Sequence, residues 1–202
     1  MRSLIPMNDR ALDAFDHLAD HGVAAKTLAA DPMVAGFAQV AAAQPLFDEL
    51  EHITAAGGAI EYELVAGARV REICPTLTEQ VRAAVLIKNE RFINPITYMD
   101  ALADAVRAAG VTLVTVRDVT SITDESSGVR LHTTGAGDGA YDAVVVATGA
   151  WLGELVRAYG VKQVVQAGRG YSFSVEADPM PAQPIYLPAQ RVAITPLGDR
   201  LR

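Results

Sequence analysis

The segment VVVATGAW, residues 144–151, indicates how this chain folds. Its three valines predict a buried β-strand that ends at Thr148-Gly149, because β-branched residues favour strands and glycine interrupts them. The following stretch, WLGELVRAYG (151–160), predicts a helix. A strand, a glycine turn and a helix N-terminus form ligand sites at the carboxyl ends of strands in α/β sheets. A tight strand-to-helix turn without a ligand explains the same residues and is the commoner case.

Composition and charge are compatible with a globular protein that handles small molecules. The 202 residues fit one large domain or two small ones, and half of them are hydrophobic. The net charge of −7 argues against a nucleic-acid partner, since phosphate binding needs clustered Lys and Arg. A single cysteine, Cys74, excludes an internal disulfide and suits a reducing compartment. No apolar stretch is long enough to predict a membrane span, and the N-terminus does not resemble a signal peptide.

Helices and strands alternate through the first part of the chain. The predicted elements are a helix capped by Asn8, a strand at 36–42, a helix from Pro45 to Gly57, a strand at 60–65, a short helix at 67–75 and a strand at 81–88. Asn94-Pro95 begins the best-defined helix, whose apolar residues share one face and which ends at Gly110. His17 and His21 have the spacing of two metal ligands on a helix, but no third ligand is near, so no metal site is predicted.

The periodicity changes after Gly110. Strands are predicted at 111–116, 119–124, 128–134, 143–147 and, broken by glycines, at 164–177. The turn residues 124–128 connect two of them as a hairpin. The pattern predicts a mixed α/β fold in which a parallel sheet carries an appended antiparallel meander.

A glycine-rich stretch at 135–140, GAGDGA, matches the G-x-G-x-x-A pattern of dinucleotide-binding loops. That pattern binds pyrophosphate only between a strand and a helix, because the helix N-terminus supplies the amides that meet the phosphates. The residues that follow, YDAVVVA, predict a strand instead. We therefore expect this stretch to be a loop between antiparallel strands, and not a phosphate site.

Several motifs occur in a characteristic order. They are REICPTL (71–77), ATGAW (147–151), AGRGYSFSV (167–175), YLP (186–188) and TPLGDRLR (195–202). The order resembles the D-amino-acid oxidase superfamily of FAD-dependent amine oxidoreductases, which includes glycine oxidase, sarcosine oxidase and D-amino-acid dehydrogenase. Cys74 departs from the family pattern, in which Glu usually precedes the proline. The resemblance extends over the chain from about residue 10 onward.

The resemblance implies positions for the cofactor and substrate sites. Val119 matches the position whose main chain holds the adenine ring, and Ala147, Thr148 and Gly149 match the segment that approaches the FAD dinucleotide, with Trp151 beside them. Gly170 and Tyr171 match the strand that approaches the flavin and the substrate. Each aromatic or apolar residue also has an ordinary interpretation: Val119 as a strand residue, Trp151 as a core aromatic and Tyr171 as a surface-strand aromatic. No catalytic acid, base or nucleophile is identified.

The resemblance also implies a domain organisation. Residues 1–95 and 163–202 are expected in a substrate domain with a mainly antiparallel sheet and flanking helices, and residues 96–162 in an FAD-binding, Rossmann-like domain. The sheet of the substrate domain is expected to contain both 81–88 and 168–175. The family's N-terminal G-x-G-x-x-G unit and its C-terminal segment have no counterpart here. We therefore expect the chain to be the central part of a longer enzyme, inactive by itself and binding FAD weakly or not at all.

The expected function is FAD-dependent oxidation of the C–N bond of a D-amino acid or a secondary amine. Two alternatives stay open: oxidation of a 2-hydroxy acid on the same scaffold, and a non-catalytic fragment that binds no flavin. The implied partner is a small amine or amino acid, and a homodimer stays open. A cytoplasmic location is expected, peripheral to the inner membrane if the enzyme is a dehydrogenase.

Overall fold

A computed structural model describes residues 4–135, 137–162 and 165–202. Ala136 of the predicted loop and Val164 of the predicted long strand lie outside the described residues. The chain divides into two compact units: the first comprises residues up to Val111 together with Ser172–Arg202, and the second comprises Thr112–Tyr171. The long helix after Asn94 belongs to the first unit, whereas the sequence placed it in the FAD-type domain.

The regular elements are mostly short. The helices are α1 (Ile5–Asn8), α2 (Ala11–Asp20), α3 (Gln44–Ala55), α4 (Ala68–Ile73), α5 (Pro95–Ala108) and α6 (Leu152–Val156). The strands are β1 (Leu28–Ala30), β2 (Met33–Phe37), β3 (Tyr62–Ala66), β4 (Ala83–Ile87), β5 (Glu90–Phe92), β6 (Val119–Glu125), β7 (Gly128–Thr133), β8 (Gly139–Tyr141), β9 (Ile185–Leu187), β10 (Val192–Ile194), β11 (Pro196–Leu197) and β12 (Arg200–Leu201). Helical 3-10 turns cover Val40–Ala43, Gly149–Trp151 and Arg157–Tyr159.

A five-stranded sheet in the order β10-β9-β2-β4-β3 forms the core of the first unit. Its pairs are antiparallel except for β2 and β9, which run parallel. Strand β4 is buried along its whole length, and alternate residues face opposite sides of the sheet. Val85 packs with Leu50 of α3 on one side, and Leu86 packs with Val70 of α4 on the other. The predicted strand at 81–88 is therefore an interior strand of the sheet, between β2 and β3.

Local signals predicted helix α5 and misplaced two other boundaries. Asn94 caps α5, because its Oδ1 accepts a hydrogen bond from the Ile96 amide at 3.1 Å. Asn8, in contrast, ends α1 and does not cap α2, which begins at Ala11. The strand predicted at 36–42 ends at Phe37, and the alanine-rich residues after it form a 3-10 turn that continues into α3. Alanine favours helical backbone, which explains the early end of that strand.

Tyr98 of α5 supplies a test of the packing in the first unit. Its side chain is 6 % exposed and its ring packs edge-to-face on Phe15, yet no described residue hydrogen-bonds its buried hydroxyl. Because a buried hydroxyl without a partner is destabilising, we expect Tyr98→Phe to raise the free energy of unfolding by about 1 kcal/mol. Tyr98→Ala, which removes the ring contact as well, should lower it by about 3–5 kcal/mol. Urea unfolding measures both, and a marked loss of stability in Tyr98→Phe would contradict the description.

The second unit contains an antiparallel meander. Strands β6 and β7 form the predicted hairpin, in which Glu125 pairs with Gly128, and β8 adds to the far side of β7. Helix α6 packs on β6, where the Tyr159 hydroxyl donates to the Ile122 carbonyl at 3.2 Å. The helix predicted at 151–160 is present as α6 flanked by two 3-10 turns.

Three predicted strands are absent from the described parts of the chain. Residues 111–116, 143–147 and 165–174 have no strand pairing, and only Val175 forms an isolated bridge, with Leu201. The sheet expected to join 81–88 with 168–175 is therefore not observed. Val145 is 90 % exposed, so its side chain is not in a core. Valine-rich sequence favours extended backbone, but a strand also needs backbone pairing with a neighbour, and the described parts of these three segments lack that pairing.

Membrane-spanning helices were sought among the described residues. None of the helices there has the length and apolar character needed to cross a bilayer.

Candidate functional site

The turn after residue 147 has the geometry that its sequence suggested. Thr148 precedes the 3-10 turn Gly149–Trp151, and the Trp151 amide donates to the Thr148 carbonyl at 3.2 Å. Gly149 has a φ angle of +55°, and a Cβ built on it would meet no atom within 4 Å. The glycine is therefore needed for its backbone conformation, and the space beside it is open.

The Thr148 side chain is the unusual feature of this turn. Its Oγ1 atom is buried and has no hydrogen-bond partner among the described residues. Leaving a buried hydroxyl unpaired costs about 1–3 kcal/mol, so such atoms in native proteins are usually satisfied by a water, an ion or a ligand. The sequence placed Thr148 at the site but did not indicate that its hydroxyl is buried, since burial depends on residues far away in the chain.

Val119 lies on the strand that helix α6 packs against. It begins β6, is half-buried and pairs with Thr133, with a register shift before Ser121. Tyr159, at the end of the helical segment that follows the Thr148 turn, also donates to Asp124 of β6 at 3.3 Å. Partial burial raises the pKa of the Tyr159 hydroxyl above its ordinary value, so it stays protonated and donates at neutral pH. These bonds connect the element after the turn to the strand that begins at Val119.

The two aromatic candidates are on the surface. Trp151 is 72 % exposed, so the interpretation of Trp151 as a core aromatic is wrong. Tyr171 is 95 % exposed and lies outside any strand, which also removes its interpretation as a surface-strand residue. A Cβ on Gly170 would meet nothing within 4 Å. Gly170 and Tyr171 belong to the second unit, although the sequence assigned them to the substrate domain.

The described residues of the glycine-rich stretch at 135–140 separate antiparallel strands, as predicted: Gly135, Gly137 and Asp138 lie between β7 and β8, and Gly139 begins β8. The stretch connects β7 to β8, and no helix follows it. Within it, Asp138 accepts a hydrogen bond from His132 Nδ1 at 2.8 Å and one from the Thr133 amide at 3.3 Å. The His132 hydrogen bond lowers the pKa of the Asp138 carboxyl, so it is ionised at neutral pH. A carboxylate at this point repels phosphate, in agreement with the rejection of the motif as a dinucleotide site.

The structure also shows the surroundings of the two histidines spaced as metal ligands and of the cysteine. His21 Nδ1 hydrogen-bonds the His17 carbonyl at 2.8 Å, and the two rings stack with centroids 4.0 Å apart. Across the described ranges, no three His, Cys, Asp or Glu side chains are grouped as a metal site. Cys74 is buried, with its Sγ 3.4 Å from Thr76 Oγ1.

Comparison with known proteins identifies the class. Residues 2–202 match the model of the DAO family, described as FAD-dependent oxidoreductases. The chain therefore belongs to this family, and the resemblance stated from its motifs is confirmed.

Among curated relatives, the chain is 34% identical over 110 residues to a D-amino acid dehydrogenase of Sinorhizobium medicae, which covers 52% of this chain and 26% of that protein. It is 28% identical over 153 residues to a D-amino acid dehydrogenase of Rhizobium rhizogenes. That match covers 73% of this chain and 37% of the relative. The matches thus span about a quarter to a third of those relatives.

Solved structures share the fold. The chain superposes on glycine oxidase from Geobacillus kaustophilus with a TM-score of 0.78 and 24% identity, covering 98% of this chain and 54% of that one. It superposes on L-proline dehydrogenase from P. horikoshii with a TM-score of 0.71 and 14% identity. The superposition covers 95% of this chain and 52% of that one. At these identities the likeness shows the fold alone, and it confirms the mixed α/β class.

The turn fits the cofactor of this family. FAD carries phosphate and ribose oxygens along its dinucleotide, and these are partners for a buried hydroxyl such as Thr148 Oγ1. The open space at Gly149 leaves room for close approach to the backbone. Both observations come from the same turn.

Proposed function

We propose that this protein is part of an FAD-dependent oxidoreductase that oxidises the C–N bond of a D-amino acid or a secondary amine. Membership of the DAO family supports the cofactor, and the curated relatives named D-amino acid dehydrogenase support the substrate class. The structural observation that carries the proposal is the buried, unpartnered Thr148 hydroxyl at a positive-φ glycine turn. The chain spans about half the length of the solved structures that it matches, so activity is proposed for the whole enzyme.

The proposal assigns FAD to the second unit. The backbone of Ala147, Thr148 and Gly149, the Thr148 hydroxyl and the exposed Trp151 ring would hold the dinucleotide, and the backbone of Val119 would hold its adenine end. Helix α6 supports these positions by packing on β6, and Tyr159, in the 3-10 turn after α6, hydrogen-bonds β6. Gly170 and Tyr171 would lie toward the flavin and the substrate, where the exposed Tyr171 ring is free to pack on a ligand.

The reaction requires the protein to position the substrate more than to supply acid or base groups. Bound FAD supplies an acceptor for the hydride that leaves the α-carbon of a neutral amine, and the resulting imine is hydrolysed by water. The protein side chains orient the substrate and exclude water from it. No acid–base pair is predicted from the sequence, in keeping with this division of roles.

Substitution of Thr148 tests the cofactor site. We expect Thr148→Val, which keeps the shape and removes the hydroxyl, to weaken FAD binding about 10- to 100-fold, as loss of one hydrogen bond to a charged group costs about 1.5–3 kcal/mol. The free energy of unfolding without FAD should stay equal or rise, because the unpaired hydroxyl is gone. Thr148→Ser, which keeps the hydroxyl, is the matched control. Equal FAD affinity in the valine and serine variants would contradict the assignment.

The substrate class is tested by product analysis of the FAD-loaded enzyme. Oxidation of a C–N bond releases ammonia with the keto acid from a primary amine, whereas oxidation of a 2-hydroxy acid gives the keto acid alone. We expect D-amino acids or N-substituted glycines to reduce the flavin anaerobically, with one ammonia or primary amine released per flavin. Reduction by 2-hydroxy acids only, without ammonia, would replace the proposal by the hydroxy-acid alternative. Failure of every substrate to reduce bound flavin would overturn both.

A further inference from the structure

We propose that a cavity in the first unit binds neutral, apolar ligands of at least the size of an aromatic ring. The cavity has a volume of about 780 Å³ and lies on the face of the five-stranded sheet opposite helix α3. Small-molecule sites usually enclose about 300–1,000 Å³ and are mainly apolar with a few polar groups. The proposal goes beyond the proposed function and does not depend on it, because the cavity belongs wholly to the first unit.

Gly36 forms part of one wall of the cavity, where two lining side chains pack against it. It lies in the buried strand β2, paired with Ala84, on the same face as Val34. A Cβ built on Gly36 would come within 3.0 Å of both Leu187 Cδ2 and Val81 Cγ1, which line the cavity. Its backbone is not in the left-handed region, so conformation does not require glycine here. The glycine therefore allows Leu187 and Val81 to pack closely on β2, and an added methyl group would displace these two lining side chains.

The lining separates into an apolar floor and a polar rim. The floor is formed by buried residues of the sheet and of two loops: Gly36, Leu77, Pro181 and Ile185. The rim carries the exposed Thr78, Gln80 and Gln190. A ligand would bury apolar surface on the floor, worth about 25 cal/mol per Å², and keep hydrogen-bonding groups near the rim.

The absence of charged side chains from the cavity lining determines which class of ligand fits. None of the residues that line the cavity is Asp, Glu, Lys, Arg or His. Burial of an ion without a partner is strongly unfavourable, so a carboxylate or ammonium group would stay outside the cavity. The occupant is therefore a neutral apolar group. It is either a free hydrophobic molecule or the apolar side chain of an amino acid whose charged groups lie beyond the rim.

Methyl NMR on the 202-residue chain tests the proposal directly. With isoleucine methyls labelled, titration with toluene should shift Ile185 and Ile194, which line the cavity, and leave Ile53 and the exposed Ile96 unchanged. D-phenylalanine distinguishes the two sources: shifts of the same methyls indicate an amino-acid side chain, and shifts with toluene alone indicate a free neutral ligand. Unmoved Ile185 and Ile194 signals, or equal shifts over all isoleucines, would overturn the proposal.

A glycine pair provides the matched variants. Gly36→Ala adds a methyl between Leu187 and Val81, and we expect it to weaken toluene binding about tenfold, as for small steric changes in a hydrophobic pocket. Gly168→Ala places the same methyl where no atom lies within 4 Å and should leave the affinity unchanged. The methyl spectrum reports whether each variant is folded. Equal toluene affinity in folded Gly36→Ala and in the parent chain would contradict the proposal. If Gly36→Ala does not fold, the toluene titration of the wild-type chain decides.

Discussion

Replacing Gly149 by valine is expected to remove most FAD from the flavin-loaded enzyme while leaving the protein folded. A β-branched residue at a φ angle of +55° is strained by about 1–3 kcal/mol, and its side chain would occupy the open space that we assign to the dinucleotide. Both effects act at the proposed site. The measurement is the flavin content per folded protein, compared with the thermal midpoint of the same preparation.

Gly160→Val is the matched control for that experiment. Gly160 also has a positive φ angle, +72°, and a Cβ there would meet no atom within 4 Å, but it lies at the far end of the helical segment. The two variants should therefore lose similar stability, and only Gly149→Val should lose flavin. Full flavin content in Gly149→Val at a lowered midpoint would mean that the turn is structural.

The 202-residue chain without further protein is expected to bind FAD weakly. Tight dinucleotide sites combine a glycine-rich turn with the N-terminus of a helix that follows a strand, and the stretch at 135–140 that matches such a turn leads into β8. The helix after Gly149 is short, with five residues in α6. We expect a dissociation constant above ~1 μM, which corresponds to a binding free energy weaker than about 8.2 kcal/mol. Sub-micromolar affinity by titration calorimetry would contradict this expectation.

Local signals were enough for the elements that complete their own hydrogen bonds. Asn94 and Pro95 predicted the start of α5, and the turn at 124–128 predicted the β6–β7 hairpin, because caps and turn residues act on the backbone within a few positions. The apolar residues of VRAAVLIK predicted a strand, and the structure shows in addition that β4 is buried on both faces.

Features that depend on distant residues could not be predicted in the same way. The valines at 144–146 favour a strand, yet pairing requires a neighbour that no described segment provides. The burial of the Thr148 hydroxyl and the cavity beside Gly36 are set by residues far away in sequence. A glycine between apolar residues in β2 indicates that another group approaches the strand closely. The sequence alone does not identify that group, which the structure shows to be the side chains of Leu187 and Val81.

Hydrogen exchange with and without saturating FAD tests the central claim, that the Thr148–Gly149 turn of this chain holds the cofactor. Amides that contact a ligand exchange more slowly, so peptides can be compared along the whole chain at an FAD concentration well above the measured dissociation constant. We predict slower exchange confined to peptides that contain Ala147–Trp151 and Val119, with Gly168–Tyr171 as a second, weaker region. Slower exchange elsewhere, with residues 147–151 unchanged in the presence of bound FAD, would contradict the account.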